Sequence, residues 1–449
     1  MYKVAIIGAG TAGKACQSIT SRNTNNYVVI DKDANPVSKC SETACMPTKK
    51  LIAQAQSAQS YHSHFPSQND SDNRNLLREA LKASKEAGAY FSKREEESNQ
   101  NWMSSHFIQG FVKLINENRL EVSGKQIECE NIIIATGSSP RVPKGLDLKH
   151  DAVLTSESLW QKKDLSDEPV AILGSGVQGI EFATALDALG ASVHLYGINE
   201  QFALLSEEEL NKYYHKKLEE RFKVSIGENQ LKAQGDKISI NTKGSEIAFK
   251  NVLLCTGSQS NLPSLGFENI NSGVEEDGKI KNYDQEGLRI KNTNIFICGD
   301  ASGLSQNIPT SKRQAHAICS KIFPKEESIL ENKAPKFDLN ICFSIPQIAT
   351  VGQKYIQLSK SKTNFKTAVA SFEDQGRARL EDERIGFIHI YHHENRFLGM
   401  EAIGPRLENL SHLIAWSANL NSDIRDWKHL PIYHPVFEQT LNQIWEQIK

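Results

Sequence analysis

Short apolar runs alternate with amphipathic segments through most of this chain. The runs at 4–7, 27–30, 132–135, 170–173, 192–196 and 252–255 have the length and composition of buried strands, and helical patterns lie between several of them. Strands that alternate with helices in this way predict parallel sheets covered by helices. From about residue 335 the pattern changes, because strand-like runs at 341–344, 386–391 and 397–400 are mixed with helices.

The final segment has helical periodicity. Its apolar residues recur at helical spacing, namely Phe437, Leu441, Ile444, Trp445 and Ile448. We therefore expect a third, α+β domain over residues 335–449.

The first two thirds of the chain contain an internal repeat. Gly8, Gly10 and Gly13 form a G-x-G-x-x-G turn after one strand, and Gly174, Gly176 and Gly179 form a second turn after another. Each copy continues into a helix and a second strand, and each later reaches an apolar strand closed by Thr-Gly. Glycines at these positions allow a tight turn, close approach of a pyrophosphate, and close packing of helix on strand. The repeat predicts two Rossmann-like dinucleotide-binding domains.

The first copy is longer than the second, and the extra residues follow Asp31. They include a helical stripe over about 75–98 and a polar stretch over 63–74 that we interpret as a loop.

The acid at the end of the second strand distinguishes the two copies. Asp31 occupies this position in the first copy and is well placed to bind a ribose. The second copy has Gly197 there, with Glu200 nearby, so the second site is expected to bind NAD, while NADP stays open.

Composition narrows the class of protein. The 449 residues allow about three domains, and 39% apolar and 24% charged residues are ordinary for a globular protein. A formal charge of -2 gives no reason to expect binding to nucleic acid, and no apolar run is long enough to span a membrane. The N-terminus enters a strand pattern directly, so we expect a cytoplasmic protein.

Two of the eight cysteines form a chemically suggestive pair. Cys40 and Cys45 are separated by four residues, and the second stands where a helix begins, with Pro47 in its first turn. A helix N-terminus favours a thiolate at Cys45, and Lys49 adds a cation one turn later. The spacing permits a redox disulfide, although two unrelated buried thiols would look similar. His62 and His64 are poorly spaced for a metal site, and we expect none.

With these motifs in place, the chain resembles the FAD-containing, dimeric pyridine nucleotide-disulfide oxidoreductases, and among them the dihydrolipoamide dehydrogenases. The resemblance spans essentially the whole chain. It depends on both fingerprints, the Cys-x-x-x-x-Cys-x-Pro-Thr-Lys motif, Glu181 after the second fingerprint, a Gly-Asp motif at Asp300 and a C-terminal His434-Pro435. It implies an FAD domain over 1–150 and 271–330, an NAD(P) domain over 151–270, and a dimerisation domain over 335–449.

The resemblance also implies the cofactor contacts. Asp31 would bind the FAD ribose, Asp300 the ribityl chain, and Lys49 and Glu181 would pair beside flavin N5. The expected cofactor residues are Gly8, Gly10, Thr11, Ala12, Gly13, Asp31, Lys49, Thr136, Gly137 and Asp300 for FAD, and Gly174, Gly176, Gly179 and Gly257 for the nicotinamide nucleotide.

The same resemblance implies the catalytic roles. Cys45 would lie nearer the flavin, Cys40 would exchange with substrate sulfur, and His434 would serve as the base, contributed by the other subunit of a homodimer. The implied reaction is oxidation of dihydrolipoamide with reduction of NAD, on a small dithiol or a lipoyl-carrying protein. An NADPH-dependent reductase of the glutathione reductase type is one alternative, and a catalytically weakened flavoprotein that serves as a binding subunit is another.

Two departures from the family pattern matter. The family has a Glu five residues after the catalytic His, whereas this chain has Gln439, whose carboxamide can orient the imidazole but cannot stabilise its charge. The cysteine motif also lacks the family's glycines before the first cysteine, where this chain has Pro36-Val37-Ser38-Lys39, and before the second, where it has Ser41-Glu42-Thr43-Ala44.

The cysteines also separate this chain from several members of the family. Mercuric reductases and large thioredoxin reductases carry a C-terminal Cys pair, whereas the last Cys here is Cys342. Soluble transhydrogenases lack the complete pair that this chain keeps.

Overall fold

The computed structural model describes residues 1–64, 71–165, 168–270, 280–304, 307–324, 336–421 and 423–448. The chain divides into two compact units. The first comprises Met1–Pro47, Glu86–Arg141 and Ser258–Ala334, and the second comprises Thr48–Lys85, Val142–Gly257 and Pro335–Lys449. Each unit is described by itself.

The first unit is built on a mainly parallel sheet. Its strands, in spatial order, are Tyr283–Asp284, Arg289–Ile290, Ile295–Ile297, Lys125–Ile134, Tyr2–Ile7, Tyr27–Asp31 and Phe107–Gln109, with Val112–Asn116 and Arg119–Val122 added as an antiparallel meander. Alternate residues of the first strand pack into different clusters on the two faces of the sheet, which explains why its apolar run is continuous. Ile7 pairs with both Ile30 and Ile134, so three strands end together at one edge.

Helices cover the sheet of the first unit. They are Thr11–Thr20 and Ile308–Ile322, and the unit also contains the short helix Lys39–Glu42 and the 3₁₀ turns Pro263–Leu265, Phe267–Ile270 and Gly299–Ser302. A short antiparallel ladder pairs Ser138–Pro140 with Ser258–Ser260. By these contacts the chain re-enters the first unit at Ser258, earlier than the expected boundary at 271. The three domain boundaries themselves stay a prediction.

Two helices belong partly to each unit, Cys45–His64 and Ser71–His106. The helix expected over about 75–98 is therefore confirmed and is longer than its apolar stripe. The loop expected over 63–74 is wrong at both ends, because residues 63–64 and 71–74 are helical, while 65–70 lie outside the described residues. Polar residues can continue a helix whose apolar stripe is already buried. The polar character of residues 63–74 was therefore not sufficient to locate the ends of the loop.

The second unit contains the second parallel sheet. Its strands, in spatial order, are Lys223–Ile226, Val193–Gly197, Val170–Leu173, Asn251–Leu254 and Val153–Leu154, with helices Val177–Ala188 and Glu208–Glu219 and the 3₁₀ turn Leu159–Gln161. A separate antiparallel sheet contains Asn229–Gln234, Lys237–Thr242 and Ser245–Phe249.

The C-terminal part of the second unit is an antiparallel sheet with helices, as predicted. Its strands, in spatial order, are Leu339–Cys342, Gln347–Gly352, Arg396–Gly404, Phe387–His393 and Lys366–Ser371. Its helices are Tyr355–Lys360, Gly376–Leu380, Leu407–Leu420, Ile424–Trp427 and Leu441–Gln447, the last preceded by the 3₁₀ turn Phe437–Thr440. Phe437, Leu441 and Ile444 are buried in its core, which confirms the periodicity of the final segment.

Across the described ranges, no helix combines the length and apolar character that crossing a bilayer requires.

Candidate active site

The first fingerprint forms an open cradle at the end of the strand Tyr2–Ile7. Gly8 has φ +101°, and a Cβ on it would lie 2.4 Å from the Ala135 carbonyl oxygen; a Cβ on Gly13 would lie 1.8 Å from the Gly8 carbonyl oxygen. No described atom lies within 4 Å of a Cβ placed on Gly10. Gly10 is the N-cap of the helix Thr11–Thr20 and provides no side-chain acceptor for the N–H groups of the first turn, which include those of Thr11 and Ala12. Such a helix end suits a pyrophosphate.

The second fingerprint reproduces this geometry in the other unit. A Cβ on Gly174 (φ +116°) would lie 2.2 Å from the Cys255 carbonyl oxygen, and one on Gly179 would lie 1.8 Å from the Gly174 carbonyl oxygen. Around Gly176 the described structure again leaves a Cβ position open. The helix Val177–Ala188 starts there without a side-chain cap.

Gly197 occupies the position in the second copy that Asp31 occupies in the first, and its surroundings are crowded. It ends the strand Val193–Gly197 and is buried, and a Cβ there would lie 2.8 Å from Ile226 and 3.0 Å from the Ser175 hydroxyl. A side chain at this position would need the Ile226 and Ser175 side chains to shift. The preference between NAD and NADP stays a prediction.

Polar groups gather at the carboxyl edge of the first sheet. Asp31 accepts hydrogen bonds from the N–H of Ala9 (2.7 Å) and of Asp33 (3.1 Å), so the fingerprint turn itself orients the carboxylate. Asp300, in the turn Gly299–Ser302, accepts a hydrogen bond from the Ser138 hydroxyl at 3.0 Å. Burial raises the pKa of Asp300, while Ser138 and the charge of Lys39 oppose the shift.

The two Thr-Gly segments follow matching strands of the two sheets. Thr136 exchanges hydrogen bonds with Asn261, whose side chain donates to the Thr136 carbonyl at 3.0 Å. Gly137 and Gly257 both have positive φ, +67° and +82°.

The two cysteines of the motif lie together in the first unit. Cys40 is in the helix Lys39–Glu42, which Ser38 caps, and Cys45 begins the helix Cys45–His64. They are present as two thiols in hydrogen-bonding contact. This contact raises the pKa of Cys40, with further contributions from burial and from the charges of Cys45 and Glu95.

Lys49 and Glu181 meet within the second unit. The Lys49 ammonium donates to both carboxylate oxygens of Glu181, at 2.7 and 2.6 Å. Glu181 is almost fully buried and also accepts the Phe343 N–H at 2.9 Å, while the ammonium lies 4.9 Å from the centre of the Phe343 ring. The pairing expected from the sequence is present in the structure, and its role toward a flavin stays a prediction.

His434 contacts Gln439 in the C-terminal part of the second unit. Its Nδ1 lies 2.9 Å from the Gln439 carboxamide oxygen, which also accepts the Val436 N–H at 3.4 Å. Because that oxygen can only accept, Nδ1 is the donor in this contact, and in the neutral imidazole the lone pair then lies on Nε2. The imidazole is exposed, and the peptide bond between His434 and Pro435 is cis.

Some residues of these sites were not found from the sequence. Phe343 was expected only as a strand residue, and Asn261 was not considered. Asn261 follows the second Thr-Gly at a short distance, so a search of the segments after each Thr-Gly would have identified it. Glu95, which accepts hydrogen bonds from Ser38 just before the cysteine pair, gave no recognisable signal.

The donor sets fit two dinucleotides. Two uncapped helix ends with open glycine turns can hold pyrophosphates. Asp31 and Asp300 lie at the carboxyl edge of the first sheet, and their roles toward ribose and ribityl hydroxyls stay a prediction. Among the described residues, no cluster of three or more His, Cys, Asp or Glu side chains is arranged to bind a metal ion.

Comparison with known families agrees with this geometry. Residues 2–317 match the family model described as pyridine nucleotide-disulphide oxidoreductase, and residues 340–444 match the model of its dimerisation domain. The chain therefore belongs to the pyridine nucleotide-disulphide oxidoreductase family, which binds FAD and NAD(P).

Individual relatives carry several names. The chain is 24% identical, over 92% of its length and 90% of the relative's, to a soluble pyridine nucleotide transhydrogenase of Marinobacter nauticus. It is 25% identical to a dihydrolipoyl dehydrogenase of Chlamydia trachomatis, over 76% of this chain and 73% of that one. The fold also resembles the HOCl-induced flavoprotein disulfide reductase RclA of Escherichia coli, with a TM-score of 0.84, 20% identity and full coverage of both chains.

Proposed function

We propose that this chain is an NAD(P)-linked flavoprotein disulfide oxidoreductase that exchanges electrons with a dithiol or disulfide substrate through Cys40 and Cys45. The observation that carries this proposal is the contact between the two thiols at the start of the helix Cys45–His64. Dihydrolipoamide with NAD is the proposed substrate pair. A lipoyl-carrying protein would present the same dithiol.

The two thiols have different proposed tasks. When bound, FAD supplies two-electron transfer between the nicotinamide and the cysteine pair. In the direction of substrate reduction, the Cys40 thiolate attacks a substrate disulfide, forming a mixed disulfide and releasing one substrate thiolate. Cys45 then attacks the Cys40 sulfur, which releases the second thiolate and leaves a Cys40–Cys45 disulfide. Oxidation of a dithiol follows the same steps in reverse.

His434 is the proposed proton carrier. Nε2 keeps a lone pair because Gln439 holds the proton on Nδ1, so Nε2 can accept a thiol proton or return one to a leaving thiolate. Following the family resemblance, we propose that the imidazole acts on the cysteine pair of the other subunit in a homodimer. The family's dimerisation domain, matched at residues 340–444, supports this arrangement.

A transhydrogenase is the second candidate, because a relative with 24% identity over 92% of this chain has that name. Such an activity would pass reducing equivalents between NAD(H) and NADP(H), and it would not require a disulfide substrate. Cys40 and Cys45 therefore discriminate the two proposals.

The deciding experiment compares Cys40→Ser and Cys45→Ser with the wild-type holoenzyme. Disulfide exchange is assayed with lipoamide, dihydrolipoamide and glutathione disulfide, and transhydrogenation with NADPH and an NAD analogue. We expect the disulfide-exchange rate of each serine variant to be more than about 100-fold lower than that of the wild type. Cys129→Ala, which changes a buried cysteine outside the pair, serves as the control. Unchanged exchange rates in both serine variants would refute the proposal.

An anaerobic titration with NADH and then NADPH tests electron delivery and identifies the preferred nucleotide. New long-wavelength absorbance that depends on Cys45 is the expected signature. Flavin bleaching without it, together with no exchange activity, would instead favour the binding-subunit alternative.

A further inference from the structure

The cysteine loop, defined as residues 36–45, is held by one face of the helix Ser71–His106. The main-chain N–H of Ser38 donates to one carboxylate oxygen of Glu95 at 3.1 Å, and the Ser38 hydroxyl donates to the other at 2.9 Å. One helical turn further on, the buried Asn99 side chain donates to the Pro36 carbonyl at 2.9 Å. A Cβ on Gly88 would lie 2.4 Å from the Glu42 carbonyl oxygen, so the helix and the loop are in close contact.

Glu95 also pairs with the helix of the first fingerprint. The Lys14 ammonium forms an ion pair with Glu95, and both side chains are more than four-fifths buried. Lys14 follows Gly13 directly, and its ammonium also lies 3.4 Å from the Pro36 carbonyl oxygen. Burial lowers the pKa of Lys14, and the hydrogen bond and charge of Glu95 oppose this shift. Burial also opposes ionisation of Glu95, but hydrogen bonds from Lys14, Ser41 and Ser38 outweigh it and lower its pKa.

We propose that Glu95, ion-paired with Lys14, is a positioning residue for the outer thiol. Its carboxylate holds Ser38, which caps the helix that carries Cys40 in its first turn. This chain lacks the glycines that precede the first cysteine in the family, and the capped helix anchored on Glu95 stands in their place. The inference rests on the proposed function, because it assigns Cys40 as the thiol that meets the substrate.

The pair has an electrostatic consequence for Cys40. The groups that face this thiol are Cys45 and Glu95, with Lys14 behind the carboxylate and Lys39 and Glu42 on the same short helix. The negative charge of Glu95 disfavours a Cys40 thiolate, and Lys14 offsets part of that charge. Replacing Glu95 with a neutral residue should therefore favour the Cys40 thiolate, whereas replacing Lys14 with a neutral residue should disfavour it.

The experiment measures the pH dependence of Cys40 alkylation. The holoenzyme is reduced with dithiothreitol, desalted without oxygen and treated with iodoacetamide, which reacts with the thiolate, and Cys40 is quantified by peptide mass spectrometry. We expect Glu95→Gln to lower the midpoint pH by roughly half a unit to one unit, and Lys14→Met to raise it. Glu95→Asp, which keeps the charge, should stay near wild type.

Glu97→Gln is the matched control, because Glu97 lies on the same helix and is exposed. If the variants merely loosened the loop, Glu95→Gln, Glu95→Asp and Lys14→Met would all move the midpoint pH of Cys40 alkylation toward that of an ordinary thiol. Shifts of the same sign in all three variants would therefore overturn the inference. The absence of any shift would overturn it as well. If Lys14→Met does not retain FAD, the Glu95 variants decide alone. Chemical reduction makes this measurement independent of nicotinamide and substrate turnover, so failure of the proposed function would be seen separately.

Discussion

At position 439 a carboxamide stands where the resembled family has a carboxylate. It orients the His434 imidazole at 2.9 Å but provides no full charge to stabilise the imidazolium that forms when the base accepts a proton. We predict that Gln439→Glu increases the rate of disulfide exchange by up to about tenfold. A general base typically contributes ~10²–10⁴-fold to a rate, and Gln439 fails to supply only the charge stabilisation that forms part of this contribution. Stopped-flow assays of exchange would measure it.

Glu438→Gln is the control for this prediction, because it changes the neighbouring carboxylate in the same 3₁₀ turn, Phe437–Thr440, and leaves Gln439 in place. If Gln439→Glu exchanges disulfides no faster than the wild type, the role assigned to Gln439 is wrong.

Residue-scale prediction worked where chemistry is local in sequence. Cys40 and Cys45 lie within one short motif, and His434 and Gln439 lie within another, so the contact inside each pair could be anticipated. The pairing of Lys49 with the distant Glu181 was anticipated only from the family resemblance. Glu95 and Phe343 could not be, because each reaches its partner from a distant segment, and nothing in their own neighbourhood marks them. Through-space partners of this kind depend on which helix packs on which loop.

At the scale of an element, the fingerprint glycines allow a test that separates the two nucleotide sites. A Cβ on Gly13 or on Gly179 would clash with a carbonyl oxygen at 1.8 Å and force the helix away from its strand. Gly13→Ala should reduce FAD retention, whereas Gly179→Ala should retain FAD and raise the KM for the nicotinamide nucleotide, each by roughly tenfold or more. Flavin absorbance and steady-state kinetics measure both effects.

Gly376→Ala provides the control, because a Cβ there meets no described atom within 4 Å. Equal loss of flavin in the Gly13 and Gly179 variants would contradict the separation of the sites.

The strand Val193–Gly197 carries a buried histidine that predicts a pH dependence of stability. Burial, with a contribution from the charge of Lys223, lowers the pKa of His194 from 6.5 to about 4, and its ring contacts Ser225 and Tyr196. The unfolded chain therefore takes up this proton at a higher pH than the folded chain does. The stabilisation is complete above about pH 6.5 and is lost as the pH falls toward 4.

Urea denaturation at pH 7.5 and pH 5 would measure this effect. Replacing His194 by Gln should reduce the loss of unfolding free energy between these two values by about 2 kcal/mol. His393→Gln, at an exposed site, should leave the loss unchanged. An identical pH dependence in wild type and His194→Gln would show that this residue contributes nothing.

Elements were predictable as far as periodicity defines them. The strands at 4–7, 170–173 and 252–255 have few polar interruptions, and the structure contains each of them. The ends of the long helix were not predictable, because 71–74 are polar and carry no apolar stripe. The sheet of Asn229–Gln234, Lys237–Thr242 and Ser245–Phe249 was missed because several of its positions are solvent-exposed and charged.

On the scale of the whole molecule, a shared active site would permit complementation between inactive variants. Cys45→Ser lacks the resolving thiol and His434→Ala lacks the base, so each homodimer should be inactive. Refolding or co-expressing the two together should restore about a quarter of wild-type activity, because half of the dimers are mixed and each has one intact site. Persistent inactivity of verified mixed dimers would exclude a site shared between subunits.

The ladder of Ser138–Pro140 with Ser258–Ser260 joins the points at which the chain leaves and re-enters the first unit. Pro140 and Ser258 are direct partners in its register, which places their Cα atoms about 5 Å apart. The segment between Pro140 and Ser258 therefore has fixed, adjacent ends, which is the geometry of a segment inserted into a continuous domain. A change in the length of that segment, such as a short insertion at the exposed turn Lys243–Gly244, should therefore leave the ladder in place.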